Sequence, residues 1–287
     1  LRSLVGSEMC IRDSFKLSNG IEIPAIGFGT WLLEGEKVTV PLKIALEKGY
    51  THIDTAAIYK NEKEIGAVLK AENVDRSKLF ITSKCWNSER GYEKAMAAFE
   101  QTLADLQTDY LDLYLIHWPA NETQFPDTWA ELNAGTWRAF EEIYKSGKAK
   151  SIGVSNFNIN HLEALFETAE IKPMVNQIEI HPGHSQPELV DFCKQHDLLV
   201  EAWSPLGSGR ILENELIVSL SDKYNVSVGQ ICINYCLAKE ILPLPRSSSE
   251  KNIEANLTSN NFKLSAEDVK AIDEMPADGF SGLNPSM

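Results

Sequence analysis

The sequence lacks any run of about 18 consecutive apolar residues, so it offers no candidate for a transmembrane helix. Positive charge is also scarce. The chain has 27 lysines and arginines against 41 aspartates and glutamates, and its formal net charge is -14. Nucleic acids are bound through basic surfaces, so this balance argues against a nucleic acid partner. An anionic ligand would need a local positive pocket.

Cysteines are few and irregularly placed. There are five, at Cys10, Cys85, Cys193, Cys232 and Cys236. An odd number at scattered positions favours reduced thiols and a location in the cytoplasm. Cys232 and Cys236 lie four residues apart in an apolar helical pattern, which is more typical of buried small residues than of a metal or redox pair.

The first 14 residues, "LRSLVGSEMCIRDS", differ from the rest of the chain. They contain neither the apolar region of a secretory signal nor a clear periodicity. We interpret residues 1–14 as a leader that is not native to the protein. No linker rich in serine or proline interrupts the remainder, so we predict a single domain over residues 15–287.

From Phe15 onwards, short β-rich runs alternate with amphipathic helical stretches. The segment "FKLSNGIEI" predicts a hairpin that turns at Asn19-Gly20. Eight apolar runs predict strands within residues 25–30, 50–54, 79–84, 111–118, 149–156, 174–180, 198–205 and 241–247. Helical patterns cover residues 38–48, 62–71, 91–107, 136–146, 161–169, 187–196, 213–224 and 227–239.

Alternating strands and helices indicate parallel strands joined by right-handed crossovers. Eight such units favour an α/β fold with a single (β/α)8 TIM barrel, here with an N-terminal hairpin and extra helices late in the chain. An open dinucleotide-binding sheet would instead carry G-x-G-x-x-G after its first strand. The segment "AIGFGTW" has only Gly27 and Gly29, followed by Thr30, so the Rossmann alternative fails.

Polar side chains end nearly every predicted strand, and in TIM barrels the carboxyl ends of the strands carry the active site. These residues are Thr30, Asp54, Lys84, His117, Ser155 with Asn156, Gln177, Trp203 with Ser204, and Arg246. Asp54, Lys84 and His117 end three successive strands, and Tyr59 follows Asp54 by five residues. Each alone has a structural explanation, such as a helix cap or core packing. Together they predict a catalytic site.

The chain resembles the aldo-keto reductase superfamily from about Phe15 to its end, and most of all the small bacterial members related to diketogluconate reductases. The resemblance rests on the segments "GIEIPAIGFGTW", "HIDTAAIYKNE", "ITSKCWN", "DLYLIHWP", "IGVSNF", "NQIEIHP", "AWSPLG" and "LPRSSSEKNIEAN". It implies a barrel that binds a nicotinamide cofactor without a Rossmann fold. It also implies a catalytic group formed by Asp54, Tyr59, Lys84 and His117.

Carbonyl reduction needs a hydride on carbon and a proton on oxygen, and Tyr59 is the natural proton donor. A free phenol has a pKa of about 10, and a nearby ammonium lowers the pKa by favouring the phenolate. We expect Lys84 to act in this way and Asp54 to supply the counter-charge that a buried ammonium needs. We expect His117 to donate a hydrogen bond to the carbonyl oxygen.

The resemblance also implies how the cofactor is held. Ser155, Asn156 and Gln177 would bind the nicotinamide carboxamide, and Trp203 would stack on its ring. Barrels often bind phosphate after the seventh and eighth strands, here in "SPLGSGR" and "PRSSSEKN". The full set of expected cofactor-binding residues is Thr30, Trp31, Asp54, Ser155, Asn156, Gln177, Trp203, Ser204, Leu206, Arg246, Ser247, Ser248, Asn252 and Asn256.

The expected cofactor is NADPH or NADP+, with NADH as a weaker alternative. Arg246 stands where the family pattern has a lysine, so a cation for the 2′-phosphate is kept. Asn252 replaces an arginine of the pattern and Ala255 replaces a glutamate, whereas Asn256 is kept. One of two cations is therefore lost, and the preference for NADPH should be modest.

Trp31, Trp86 and Trp118 follow the first, third and fourth strands and are expected to wall an apolar substrate pocket. We interpret "ANETQFPDTWAELNA" as a long loop that shapes specificity. The tail "DGFSGLNPSM" is short, so we expect the pocket to be open on that side. The expected partner is a small carbonyl substrate, bound by a monomer. We expect no metal, because His181 and His184 have too few other ligands nearby.

Two other functions fit parts of this pattern. Lys84 at a strand end would suit a Schiff-base aldolase barrel. A regulatory subunit that binds the cofactor and senses redox state would need the same cofactor residues. The complete group of Asp54, Tyr59, Lys84 and His117 argues for the reductase.

Overall fold

The computed structural model describes residues 14–286, so all of the predicted leader except its last residue lies outside the described part. Strands β1 (Ser14–Lys16) and β2 (Glu22–Pro24) form the predicted antiparallel hairpin. Gly20 lies in the turn with a φ of 89°, a left-handed conformation that glycine adopts without strain. The hairpin is therefore confirmed.

Eight parallel strands form the predicted barrel. They are β3 (Phe28–Gly29), β4 (His52–Asp54), β5 (Phe80–Cys85), β6 (Leu113–Ile116), β7 (Ile152–Ser155), β8 (Val175–Glu179), β9 (Leu199–Trp203) and β10 (Leu242–Leu244). Each pairs with the next along the chain. The N–H groups of Gly27 and Gly29 donate to the carbonyls of Pro243 and Pro245, at 3.1 and 3.0 Å, and bring the first and last strands together. A Cβ at Gly29 would lie 3.0 Å from the Leu244 carbonyl oxygen, so the close approach of the two backbones favours glycine there.

Ten helices surround the strands. They are α1 (Thr39–Lys48), α2 (Glu62–Ala71), α3 (Tyr92–Leu106), α4 (Trp129–Lys145), α5 (Ile159–Phe166), α6 (Pro187–Gln195), α7 (Glu215–Tyr224), α8 (Val228–Ala238), α9 (Glu250–Leu257) and α10 (Ala266–Asp273). The first eight correspond to the predicted helices, although α4 begins seven residues earlier than the predicted range of 136–146. The bounds of α9 and α10 were not predicted, because α9 buries only Ile253 and Asn256 and α10 only Asp268 and Ile272, too few apolar residues for a clear period.

Helix α4 corrects one prediction. The segment 120–134 was interpreted as a loop, but α4 begins at Trp129 within it. The Asn133 side chain accepts from the Ala120 N–H at 2.8 Å and donates to the Ala120 carbonyl at 3.0 Å. A polar residue that looked like part of a loop therefore fixes the first turns of the helix to the end of the preceding segment.

The core lies inside the barrel and between the strands and the helices. Large rings fill the outer layer, where Tyr114 of β6 stacks on Phe140 of α4 with ring centres 4.6 Å apart. Cys232 and Cys236 are fully buried there, as predicted, and like Cys85 and Cys193 they are free. None of the helices in residues 14–286 is both long enough and apolar enough to cross a membrane.

Candidate active site

A cavity of about 810 Å³ opens at the carboxyl ends of the barrel strands. Every predicted site residue lines it except Lys84 and Asn256. Lys84 is fully buried, and Asn256 is buried on α9. The barrel therefore gathers onto one rim side chains that are far apart in sequence.

A buried ion pair lies at the base of this cavity. Lys84 Nζ is 2.7 Å from Asp54 Oδ1, and the two side chains are only 0% and 5% exposed. A second N–H of the ammonium donates to the Thr55 carbonyl at 2.8 Å. Burial alone would lower the pKa of Lys84, but the Asp54 carboxylate and then Tyr59 raise the pKa overall. Lys84 therefore stays charged, with one N–H left over.

Tyr59 lies directly above this pair, in a short 3-10 turn at Ala57–Tyr59 that follows β4. Lys84 Nζ is 5.2 Å from the centre of the Tyr59 ring. Burial raises the pKa of Tyr59, Lys84 acts against this rise, and Asp54 adds to it. The lowering influence of Lys84 is as expected from the sequence, but the net pKa shift is upward because burial is the larger effect.

Asn61 fixes the turn that carries Tyr59, and the sequence analysis missed it. Its buried amide donates to the carbonyls of Thr30 and Leu33, at 3.1 and 3.0 Å, and accepts from Thr55 Oγ1 at 2.7 Å. These bonds tie the loop after β4 to the loop after β3. The only local signal was an asparagine directly before α2, which is more often a helix cap.

His117 follows β6 and faces Tyr59. Its ring packs edge-on against Tyr59 and Trp86, with ring centres 5.6 and 5.1 Å apart. Burial, and then the charge of Lys84, holds the pKa of His117 well below its usual value, so the imidazole is neutral. Within the described residues, Nδ1 is buried and has no hydrogen-bond partner, which leaves Nε2 to reach the cavity.

Ser155, Asn156 and Trp203 form a connected group on the next wall. Asn156 donates to the His117 carbonyl at 2.9 Å and accepts from Trp203 Nε1 at 2.8 Å. Its backbone is left-handed, with a φ of 61°, which asparagine tolerates better than most residues. The indole of Trp203 is thereby held against the cavity by a residue that is itself bonded to the His117 carbonyl.

Gln177 lies between two carboxyl groups. Its Nε2 is 2.9 Å from Asp54 Oδ2 and 2.7 Å from Glu201 Oε2, so both amide hydrogens are used and Oε1 remains for a ligand. Glu201 is fully buried in β9, and burial, then the Asp54 carboxylate, raises the pKa of Glu201 to about 8. The sequence analysis missed Glu201, whose signal was an acid inside the apolar run "LLVEAW".

The far end of the cavity fits a phosphate-bearing cofactor. Arg246 lines the cavity, is exposed, and has no ion pair with any residue that the structure describes. Ser204 and Gly207, in the loop after β9, have φ values of 48° and 56°, so the backbone turns sharply beside the cavity. The amide-rich wall, the fixed indole and the free guanidinium together match the parts of a nicotinamide dinucleotide phosphate. Ser247, Ser248 and Asn252 line the same end.

The C-terminal tail corrects another expectation. Leu283, Asn284 and Pro285 line the cavity, so the prediction of a side left open by the tail was wrong. Asn121 donates to the Pro285 carbonyl at 2.9 Å, and Thr123 donates to the Ser286 carbonyl at 2.8 Å. The tail is short, but these bonds hold it against the segment after β6, where it lines the cavity.

Within residues 14–286, no three His, Cys, Asp or Glu side chains are grouped as a metal site would require. The Nε2 atom of His181 lies 3.4 Å from Glu179 Oε1, but neither His181 nor His184 belongs to a group of three such side chains among the described residues. The expected absence of a metal stays a prediction.

The family is decided by comparison with known proteins. Residues 25–277 match the Aldo/keto reductase family. The chain belongs to the aldo/keto reductase family. Membership confirms the resemblance seen in the sequence and makes the chain an NAD(P)H-dependent oxidoreductase. The (β/α)8 barrel is the fold of this family.

Individual relatives are similar to this chain over nearly the whole length of both chains. The chain is 47% identical over 276 residues to "Glyoxal reductase" of Bacillus subtilis, covering 96% of this chain and 97% of the relative. A solved aldo-keto reductase from a Medee basin deep-sea metagenome library is 40% identical, with a TM-score of 0.88 over 94% and 97% of the two chains. A solved variant of Gox0644, in complex with NADPH, is 36% identical, with a TM-score of 0.88 over 96% and 97%.

Proposed function

We propose that this protein reduces aldehydes and ketones to alcohols with NADPH, and that Tyr59 delivers the proton to the carbonyl oxygen. One observation carries the proposal: the buried Lys84–Asp54 pair lies beneath Tyr59, with a neutral His117 beside it, at the base of the cavity. A relative named for glyoxal reduction and a neighbour solved with NADPH support it. The reaction is reversible in principle.

The residues of the site have separate roles in carbonyl reduction. When bound, the nicotinamide supplies the hydride. Tyr59 keeps its proton at neutral pH because burial raises the pKa of the phenol. As negative charge develops on the carbonyl oxygen, the phenol transfers its proton there, and the adjacent Lys84 ammonium stabilises the phenolate left behind. His117 presents Nε2 to the same oxygen and orients it. In the oxidative direction Tyr59 would act as the base.

The other residues position the cofactor. Oε1 of Gln177, Ser155 and Asn156 would contact the carboxamide, and Trp203 would cover the ring. Arg246, Ser247 and Ser248 would contact the phosphates. The free cysteines of the described residues support a location in the reducing cytoplasm.

The geometry argues against a Schiff-base aldolase. Lys84 does not line the cavity, and its ammonium is held by Asp54 and by the Thr55 carbonyl. A nucleophilic lysine must be deprotonated and within reach of the substrate carbonyl. Borohydride treatment with a carbonyl substrate should therefore leave no trapped adduct on Lys84.

The direct test is NADPH consumption by the purified protein, followed at 340 nm with glyoxal and a panel of other aldehydes at roughly millimolar concentration, the upper range of common KM values. We expect turnover that a chelator does not affect. The proposal would be wrong if no aldehyde supported NADPH oxidation, or if a chelator abolished activity and zinc restored it.

We predict that NADPH is preferred over NADH by roughly 10-fold to 100-fold in kcat/KM, because one charge-assisted contact to the 2′-phosphate is worth about 1.5 to 3 kcal/mol. Arg246→Ala should remove most of this preference, and Asn252→Arg should widen it. Steady-state kinetics with both cofactors would measure each ratio. Equal kcat/KM values for the unmodified protein would show that Arg246 does not contact the phosphate.

We predict that Trp86→Ala and Trp118→Ala raise KM for bulky aldehydes more than they weaken NADPH binding. Both side chains line the substrate end, away from Arg246 and the loop after β9. Fluorescence titration of NADPH would give the cofactor Kd, and kinetics with small and bulky aldehydes would give KM. An equal loss of cofactor affinity would place these indoles at the cofactor instead.

A further inference from the structure

A second arginine lies at the end of the cavity opposite Arg246. Arg90 follows β5 after a short 3-10 turn at Asn87–Glu89, and it lines the cavity on the same wall as Trp86 and Trp118. The cavity therefore carries one cation at the proposed cofactor end and another beside the tryptophans of the proposed substrate end. Among the described residues that line the cavity, the only acid is Asp54, which is already paired with Lys84.

Most of the hydrogen-bonding capacity of Arg90 is unused. Nη2 donates to the Pro119 carbonyl at 2.7 Å, and the guanidinium carbon lies 5.7 Å from the centre of the Phe125 ring. Nε is buried without a partner, and Nη1 makes no hydrogen bond within the described part of the chain. A guanidinium has five N–H donors, so the contact with Pro119 fixes its position and leaves both donors of Nη1 and the second donor of Nη2 for a ligand.

No carboxylate neutralises this cation. Among residues 14–286, none has a carboxylate oxygen within 4.0 Å of the Arg90 guanidinium, although Arg90 is half-buried. The adjacent acid, Glu89, instead accepts a hydrogen bond from Ser88 Oγ at 2.6 Å. Burial lowers the pKa of Arg90, but an arginine stays charged in a protein. This charge therefore has no ion-pair partner among the described residues and faces a cavity where an anionic ligand can reach it.

We propose that Arg90 binds an anionic group of the substrate, so that this enzyme prefers aldehydes and ketones that carry a carboxylate at the end remote from the carbonyl. This inference rests on the proposed reductase function of the same cavity. A carboxylate can accept two parallel bonds from a guanidinium, which fixes direction as well as adding affinity. On a chain with a net charge of -14, Arg90 supplies the local positive pocket that an anion requires.

The alternative is that Arg90 only ties the loop after β5 to Pro119. In that case, replacing it would disturb Trp86 and His117 and lower turnover of charged and neutral substrates together. Our proposal instead predicts that replacing Arg90 lowers kcat/KM for the charged substrate much more than for the neutral one. The decisive quantity is therefore the ratio of kcat/KM for the charged substrate to kcat/KM for the neutral one. The two aldehydes differ in intrinsic reactivity, but this difference cancels when the ratio for a variant is compared with the ratio for the unmodified enzyme.

The experiment uses 4-carboxybenzaldehyde and its neutral amide, 4-formylbenzamide, with saturating NADPH. We expect the unmodified enzyme to favour the carboxylate by at least about tenfold in kcat/KM, mainly through KM, as one charge-assisted contact allows. Arg90→Gln should abolish the preference and leave the amide reduced at a near-normal rate. Arg90→Lys should retain part of it. Lys70→Gln, which removes an exposed cation on α2, is the charge-matched control and should change nothing.

A measurement on the unmodified enzyme guards against misfolding of the variants. Benzoate should inhibit reduction of the neutral aldehyde competitively at concentrations at which benzamide does not. No preference for the carboxylate, an unchanged ratio in Arg90→Gln, or equal inhibition by benzoate and benzamide would each overturn the proposal for Arg90. Failure to reduce either aldehyde would instead contradict the reductase function, so the two failures are distinguishable.

Discussion

Tyr59→Phe is expected to lower kcat for aldehyde reduction by at least about 100-fold, the scale of losing a positioned general acid. The substitution removes only the hydroxyl, so the ring contact with His117 and the packing over Lys84 remain. Asn61 still fixes the turn at Ala57–Tyr59, because its amide donates to the carbonyls of Thr30 and Leu33, which the substitution does not change. The loss should therefore fall on turnover rather than on folding.

Two measurements separate these effects. Stopped-flow or steady-state kinetics at neutral pH would give kcat, and fluorescence titration would show an almost unchanged Kd for NADPH. Tyr144→Phe removes a hydroxyl from α4, outside the cavity, and is the matched control. Near-normal turnover of Tyr59→Phe would show that another group delivers the proton, and would remove Tyr59 from the mechanism.

The strand-end residues could be predicted from the sequence because barrel topology alone brings them together. Asp54, Lys84 and His117 end neighbouring strands, and parallel register places all three at one rim. The same logic located Ser155, Gln177 and Trp203. The local sequence predicts where each strand ends, and closure of the barrel then brings these ends to one rim.

Residues that act through long-range packing could not be predicted in this way. Glu201 occupies an apolar run, and only the structure shows that it lies inside the barrel against Gln177. The tail reaches Asn121 across 164 positions of sequence, so no local pattern could place it over the pocket. Arg90 is an ordinary loop arginine in sequence, and its significance comes from the carboxylates that are absent around it in the described residues.

The pKa of Tyr59 shows the same limit on what the sequence can predict. Sequence identifies Lys84 as a neighbour that favours the phenolate, and the structure agrees on the direction of that influence. The extent of burial depends on how Trp86, His117 and the barrel wall close around the phenol. Burial outweighs the ammonium, so the net pKa shift is upward, which keeps the proton in place until it is transferred.

Lys84→Met is expected to damage both stability and turnover. It leaves the Asp54 carboxylate buried beside Glu201 without its ammonium, and breaking a buried ion pair by removing one partner costs about 3 to 5 kcal/mol. Turnover should fall by at least about 100-fold, because the phenolate of Tyr59 loses the charge that stabilises it. Urea unfolding and aldehyde kinetics measure the two effects separately.

The double variant Lys84→Met with Asp54→Asn tests whether these two losses have different causes. Removing both charges takes away the unpaired carboxylate, so most of the lost stability should return, whereas turnover should stay low because Tyr59 still lacks the ammonium. Lys145→Met breaks the exposed pair with Glu170 and should leave the unfolding midpoint nearly unchanged. If the double variant recovered activity along with stability, Lys84 would matter only for folding, and its assigned role in supporting Tyr59 would be wrong.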